Sequence, residues 1–211
     1  MNTPSLRLER QLLRAGADLV IGVDEAGRGA LAGPVSVGAV AVVAATPTVP
    51  RGTRDSKMIS EQQRERLRPL VQNWALATAV AMTPAHVITT DGLTTAQRQA
   101  ALAALGQLLN DLAAQGSTGR VTIILDGAHN YLQPGLSAWP NCTVRLKVRA
   151  DVTCSSVAAA SILAKTERDR HMISIAEEYP EFGWSINKGY GTAGHREAIA
   201  RHGYTAHHRY R

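Results

Sequence analysis

Cysteine is scarce in this chain. The two present in 211 residues, Cys142 and Cys154, supply neither a disulfide framework nor a paired-cysteine metal motif, so both read as small, partly buried apolar residues. Long hydrophobic runs are missing as well: no stretch approaches the roughly eighteen uncharged apolar residues that a membrane-crossing helix requires. The stretch Met1 to Arg14 mixes Arg and Glu with Leu, which suits neither a signal peptide nor a membrane span and predicts a soluble, cytoplasmic protein with no membrane partner. There is no internal repeat and no low-complexity linker. Acidic residues are the minority, 17 Asp and Glu against 23 Lys and Arg, for a net charge of +6. A basic balance fits a polyanionic partner, because each cation set against a phosphate releases a condensed counterion, but many basic proteins bind no nucleic acid.

With 45% hydrophobic residues the chain can build one well-packed core and a modest appendage. An amphipathic helix over Leu6 to Ala15 leads into the strand pattern Leu19 to Val23, which ends in Asp24-Glu25. Pro34 to Val43 reads as a second strand paired with the first as a hairpin, and Thr46 to Arg54, with its prolines and glycine, as a loop. Ser60 with Gln63 has capping-box spacing and opens a helix to about Gln72; Trp74, Leu76, Thr78, Val80 and Met82 alternate like a strand. A second box, Thr94 with Gln97, opens an Ala/Leu/Gln-rich helix that stops at Gly116. Val121 to Leu125 is a strand that delivers Asp126, and Thr143 to Val148 another that precedes Asp151. A long helix from Ser155 or Ser156 to about Glu178, a glycine-rich link over Gly183 to Gly194, and a short helix from His195 to His202 complete the chain. Strands and helices in this order predict a layered α/β domain with a mixed sheet. The domain plan is a catalytic body over 1–180 with a helical appendage over 181–211 packed on it.

Asp24, Glu25, Asp126 and Asp151 all fall at the ends of predicted core elements. Each alone is explained by a turn or a helix start. Together they suggest a site, because sheet ends gather distant residues into one crevice. Crowded carboxylates repel unless a cation neutralises them, and oxygen-only ligands point to Mg²⁺ or Mn²⁺. Two such ions about 4 Å apart activate an attacking water and stabilise the leaving oxygen of a phosphodiester.

Five segments resemble, in order, the motifs of the ribonuclease HII family. Gly22 to Gly29 (GVDEAGRG) with Gly33-Pro34-Val35 is similar to its signature; Asp55-Ser56-Lys57, Leu125-Asp126-Gly127, Val157 to Lys165 with Arg168-Asp169, and Lys188 to Thr192 (KGYGT) follow. The resemblance spans roughly residues 8 to 200. It implies a ribonuclease H-like fold with a central mixed β-sheet flanked by helices and a C-terminal helical segment that helps hold the duplex. It further implies that Asp24, Glu25, Asp126 and Asp151 are the catalytic, metal-binding acids, with two divalent ions in the active complex. The implied reaction cuts the RNA strand of RNA/DNA hybrids, and cuts 5′ to single ribonucleotides in duplex DNA, leaving 5′-phosphate and 3′-hydroxyl ends. Roles in ribonucleotide removal and RNA primer removal go with it, and a monomer is expected.

By the same resemblance Gly27, Arg28 and Gly29 read the ribonucleotide, since glycines let backbone groups approach a 2′-hydroxyl; a tight turn is the plain alternative. Lys57 is a phosphate contact or a solvated loop lysine. Tyr190 stacks on a sugar or simply fills the core. Arg149-Ala150-Asp151 departs from the family's usual Lys-Gly-Asp, a change expected to stiffen the approach of Asp151. His129 is either a proton-transfer aid or a loop cap, and His207 to Arg211, a basic tail of the kind that is usually mobile, receives no site. Three rivals remain: a type III ribonuclease H, which normally carries an extra N-terminal domain while only about twenty residues precede Asp24 here; a silent binding module for hybrids; and a nucleotide-binding protein with Gly27-Arg28-Gly29 as phosphate cradle, which lacks a full dinucleotide fingerprint or P-loop lysine pattern.

Overall fold

The computed structural model describes residues 3–117 and 119–210. Its sheet has five strands: β1 (Leu19–Ala26), β2 (Val35–Val42), β3 (Ala77–Thr83), β4 (Val121–Asp126) and β5 (Cys142–Lys147), in the order β3-β2-β1-β4-β5. The β1–β2 and β2–β3 pairs are antiparallel, and β1–β4 and β4–β5 are parallel. This is the central mixed sheet expected from the sequence, with β1 in its middle.

Both faces of β1 are covered, which is why its sequence is apolar almost without alternation. Leu19, Ile21 and Val23 join the cluster built on α4 (Leu93–Ala114), which contributes Leu105, Leu108 and Leu112. Val20 packs the other way, with Ile124 and Val157 of α6 (Ser155–Ala176). Each fully buried side chain of this size contributes about 1.5–3 kcal/mol. Helix α6 crosses the sheet at two glycines: a Cβ on Gly22 would lie 2.4 Å from the Ser156 carbonyl carbon, and one on Gly38 2.4 Å from the Ala160 oxygen. Helix α1 (Arg7–Arg14) steadies the start of α6, because buried Glu9 accepts hydrogen bonds from the Ser156 amide (2.9 Å) and hydroxyl (2.8 Å).

The expected capping box at Ser60 and Gln63 is present and opens α2 (Glu61–Trp74). Trp74 ends that helix instead of starting a strand; its indole N–H donates to the Pro47 carbonyl at 2.8 Å. The second expected box is absent. Thr94 lies inside α4, whose N-cap is Gly92, and the segment before it folds as α3 (Ala85–Asp91), a helix with no side-chain cap to announce it. Asp151 sits within the short α5 (Ala150–Thr153), and the glycine-rich link contains α7 (Trp184–Asn187) before α8 (Ala193–His202). Phe182 and Trp184 are buried against Met172 and Ala176 of α6 and against Ala32. Among the described residues no helix is long and apolar enough to cross a membrane.

Candidate active site

Parallel pairing of β1 with β4 matches Val23 with Leu125, so one step further Asp24 lies beside Asp126 on neighbouring strands. Glu25 follows Asp24 on the same strand and must project to the opposite face. Asp24 accordingly interacts with Ser161 of α6, whereas Glu25 lies on the side of Tyr131. The three carboxylates line one cavity of about 530 Å³ together with Gly27, Arg28, Gly29, Lys57 and Tyr190. Asp151 stands just outside that lining, its Oδ2 3.6 Å from the Lys57 ammonium. Eight of the nine residues singled out by sequence therefore share a cavity, and the ninth touches it through Lys57.

The acids are gathered but not closed around a point. Among the described residues no three His, Cys, Asp or Glu side chains stand close enough together to hold an ion. Strand alternation explains this, since it turns Glu25 away from the Asp24–Asp126 side. The chemistry of the donors still fits a hard cation: Asp24 is buried, and its Oδ2 has no hydrogen-bond partner. Burial, then the charges of Glu25 and Asp126, hold the Asp24 carboxyl well above the usual range, with Ser161 and Lys57 acting in the opposite direction. Glu25 is also raised, by burial and Asp126, while Arg28, 3.4 Å from its Oε1, opposes the shift. Burial, Asp126 and Asp55 raise Asp151. For Lys57 burial alone would lower the ammonium, but Asp55, Asp24, Asp151 and Glu25 together raise it. Asp126 Oδ1 accepts the Ala150 amide at 2.7 Å, which joins the β4 end to α5.

The departure at Arg149-Ala150 is accommodated in the backbone. Ala150 is fully buried in helical backbone, so the methyl is accommodated there; the left-handed conformation falls on Arg149, at φ 58°. His129 is exposed.

Several residues escaped the sequence reading. Ser56, Arg64 and Lys165 also line the cavity. Arg64 holds the Lys57 loop, donating to the carbonyls of Ser56 (3.1 Å) and Ile59 (2.8 Å) while pairing with Asp169 at 2.9 Å. Lys165 contacts Asp169 as well, and both Lys165 and Arg168 lie 5.3 Å from the centre of the Tyr190 ring, within cation–π range. Ser56, Lys165, Arg168 and Asp169 fall within segments that resemble the family's motifs, but the resemblance gives them no role, and only their contacts supply one.

The turn over Gly27 to Pro34 is bounded by α6 and the C-terminal tail. Gly27 has φ +88°, and a Cβ there would fall 2.0 Å from Arg168 Nε, so both conformation and space demand glycine. Arg168 donates to the carbonyls of Pro34, Lys188 and Ala32 at 2.8, 2.9 and 3.0 Å. The tail is ordered here, with His208 buried; Arg211 lies outside the described residues. His195 Nδ1 is 3.0 Å from the Tyr190 carbonyl and so carries its proton, leaving Nε2 to accept from Trp184 Nε1 (3.0 Å) and from His208 Nε2 (3.2 Å). His208 Nδ1 in turn accepts the Thr205 amide at 2.9 Å, so the network needs both rings neutral.

A family model described as Ribonuclease HII matches residues 21–211. Among curated relatives, the ribonuclease HII of Roseiflexus castenholzii is 40% identical over 209 residues, 98% of this chain and 87% of that protein. The ribonuclease HII of Hyphomonas neptunium is 42% identical over 195 residues, 88% of each. Among solved structures, the ribonuclease H2 of Pyrococcus horikoshii superposes with a TM-score of 0.71 at 26% identity, covering 90% of this chain and 92% of that one.

Proposed function

Because the chain belongs to the ribonuclease HII family and is a metal-dependent nuclease, we propose that it hydrolyses the RNA strand of RNA/DNA hybrids and cuts duplex DNA on the 5′ side of single embedded ribonucleotides. The observation that carries this reading is the Asp24 carboxylate: buried, with Oδ2 unpartnered, beside Asp126 and next in sequence to Glu25. A buried charge lacking a partner is costly, and a hard cation removes the cost.

Asp24, Glu25, Asp126 and Asp151 would hold the ions, Mg²⁺ or Mn²⁺ and two in the active complex. Such ions supply activation of the attacking water and neutralisation of charge on the leaving oxygen. The chain's own groups do the rest. Lys57, already drawn toward the carboxylates, contacts the phosphate backbone. Gly27, Arg28 and Gly29 present backbone groups to the 2′-hydroxyl, and Tyr190, backed by Lys165 and Arg168, offers its ring to the sugar next to it. The products carry 5′-phosphate and 3′-hydroxyl ends. Residues 181–211 act as an appendage of the catalytic body, and the protein works as a cytoplasmic monomer in ribonucleotide and RNA primer removal.

Three labelled duplexes test this: all-DNA, DNA with one ribonucleotide, and full hybrid, each with Mg²⁺ or Mn²⁺ and with EDTA. Metal-dependent cutting of the last two, at the ribonucleotide in the second, is expected. Binding of the hybrid without cutting would mark a silent binding module, and equal cutting of all-DNA duplex would remove the ribonucleotide specificity.

A further inference from the structure

The tail residue Arg209 faces the turn that carries Gly27-Arg28-Gly29, and its guanidinium has an unusual set of partners. Nε donates to Gly33 O (2.8 Å), one terminal nitrogen to the carbonyls of Gly27 (2.6 Å), Arg28 (3.2 Å) and Ala30 (3.2 Å), and the other to Pro34 O (2.7 Å). All five acceptors are backbone oxygens of one eight-residue turn, residues 27–34. Among the described residues Arg209 has no carboxylate partner, so its charge is met by carbonyl dipoles alone. The tail backbone adds to this: the Arg209 amide donates to Leu31 O (2.8 Å), and the Gly33 amide donates to His207 O (2.7 Å).

Carbonyls that converge on one point fix the direction of the amides behind them. In a planar trans peptide the N–H points opposite to the C=O, and the peptides of this turn are trans. With the Gly27 and Arg28 oxygens turned onto Arg209, the N–H groups of Arg28 and Gly29 face away from it; both residues line the cavity, and Arg209 does not. Neither amide donates to any group among the described residues. Two adjacent free N–H groups on residues that line a cavity suit a phosphate or hydroxyl oxygen. Without the guanidinium the five carbonyls lose their common donor: Gly27 O keeps the Ala30 amide (3.3 Å) and Pro34 O keeps Arg168, but Arg28 O is left with no donor among the described residues, so the Arg28–Gly29 peptide loses its anchor.

We infer that Arg209 is a positioning residue for the substrate reader: it orients the Arg28 and Gly29 amides toward the ribonucleotide without touching substrate itself. The inference rests on the reading of Gly27-Arg28-Gly29 as the ribonucleotide contact. The tests are Arg209→Ala and Arg209→Lys, assayed in the full chain on a duplex carrying one ribonucleotide, with Mn²⁺ titration and hydrogen exchange alongside. In Arg209→Ala, kcat should fall by about 100-fold while KM and Mn²⁺ affinity change by less than about threefold, because misplacing a contact by an ångström costs rate more than binding. Arg209→Lys should regain about tenfold, since one ammonium replaces only part of a planar fork. Exchange should quicken over residues 27–34 while β1 and α6 keep their protection. Unchanged kcat in both variants overturns the inference. So does a loss of protection throughout the sheet with kcat falling in step, which marks a purely structural role. If the unaltered protein fails to cut at the lone ribonucleotide, the functional reading itself fails and takes the inference with it; a wild type that cuts beside an equally active Arg209→Ala sinks the inference alone.

Discussion

The two sides of the cavity are built on opposite electrostatic plans. On the sheet side Asp24, Glu25 and Asp126 are brought together with too few donors, and Asp24 Oδ2 has none. On the tail side two guanidiniums, Arg168 and Arg209, are held by eight hydrogen bonds to backbone carbonyls, and the His195–His208 pair satisfies its ring nitrogens within one network. On the proposed function the contrast separates two tasks. A reader of shape works best when rigid before substrate arrives, whereas a cation site keeps its affinity by leaving carboxylate oxygens unsatisfied.

The sharpest way to break this contrast is to neutralise the sheet side. Asp24→Asn or Asp126→Asn should lower kcat/KM by at least about 1000-fold, as expected when an ion site loses a ligand charge. For Asp24→Asn, thermal unfolding in EDTA should show no loss of stability, because the removed charge was buried and repelled. A large drop in Tm in EDTA would mean that the Asp24 carboxylate stabilises the fold, and the contrast would be lost.

Acid should act on the tail side. The His208 pKa is pushed down to about 4 by burial, with His195 and His207 adding to it, and that of His195 is lowered by burial. A histidine whose folded pKa lies below its unfolded value binds fewer protons when folded, so its contribution to stability is present above pH 6.5 and is lost as pH falls toward 4. The loss at the acid end should reach up to about 3 kcal/mol, followed by urea unfolding across that window. His208→Gln should flatten the profile; an unaltered slope would show that other groups govern it.

The smallest effect belongs to Arg28, whose side chain is 58% exposed and reaches Glu25 across the gap between the two sides. Arg28→Ala should weaken hybrid binding about tenfold, some 1.4 kcal/mol, with metal binding little changed. Calorimetry of each ligand separates the two, and a larger loss for metal would place Arg28 with the acids instead.

What could be read from the sequence depended on how local its cause was. Asp24, Glu25 and Asp126 were legible because apolar strand patterns end in them, and the Ser60–Gln63 box because capping is a four-residue event. Neither α3 nor the true start of α4 was, since Pro84 and Gly92 stand where a side-chain cap would have signalled each helix. The divergence of Glu25 from Asp24 is dictated by alternation along β1 and is legible once the strand is placed. Arg64, Arg168 and Arg209 each rely on at least one partner 105 to 182 residues away, Asp169, Pro34 and Gly27, and the spacing of a basic tail carries no trace of such contacts.

The span between Gly27 and Arg209 has a consequence for synthesis. Contacts between residues 182 apart form only after both have left the ribosome. The acidic strands can therefore assemble on a nascent chain while the turn beside them still lacks its arginine, so the two sides of the cavity are completed at different stages of synthesis.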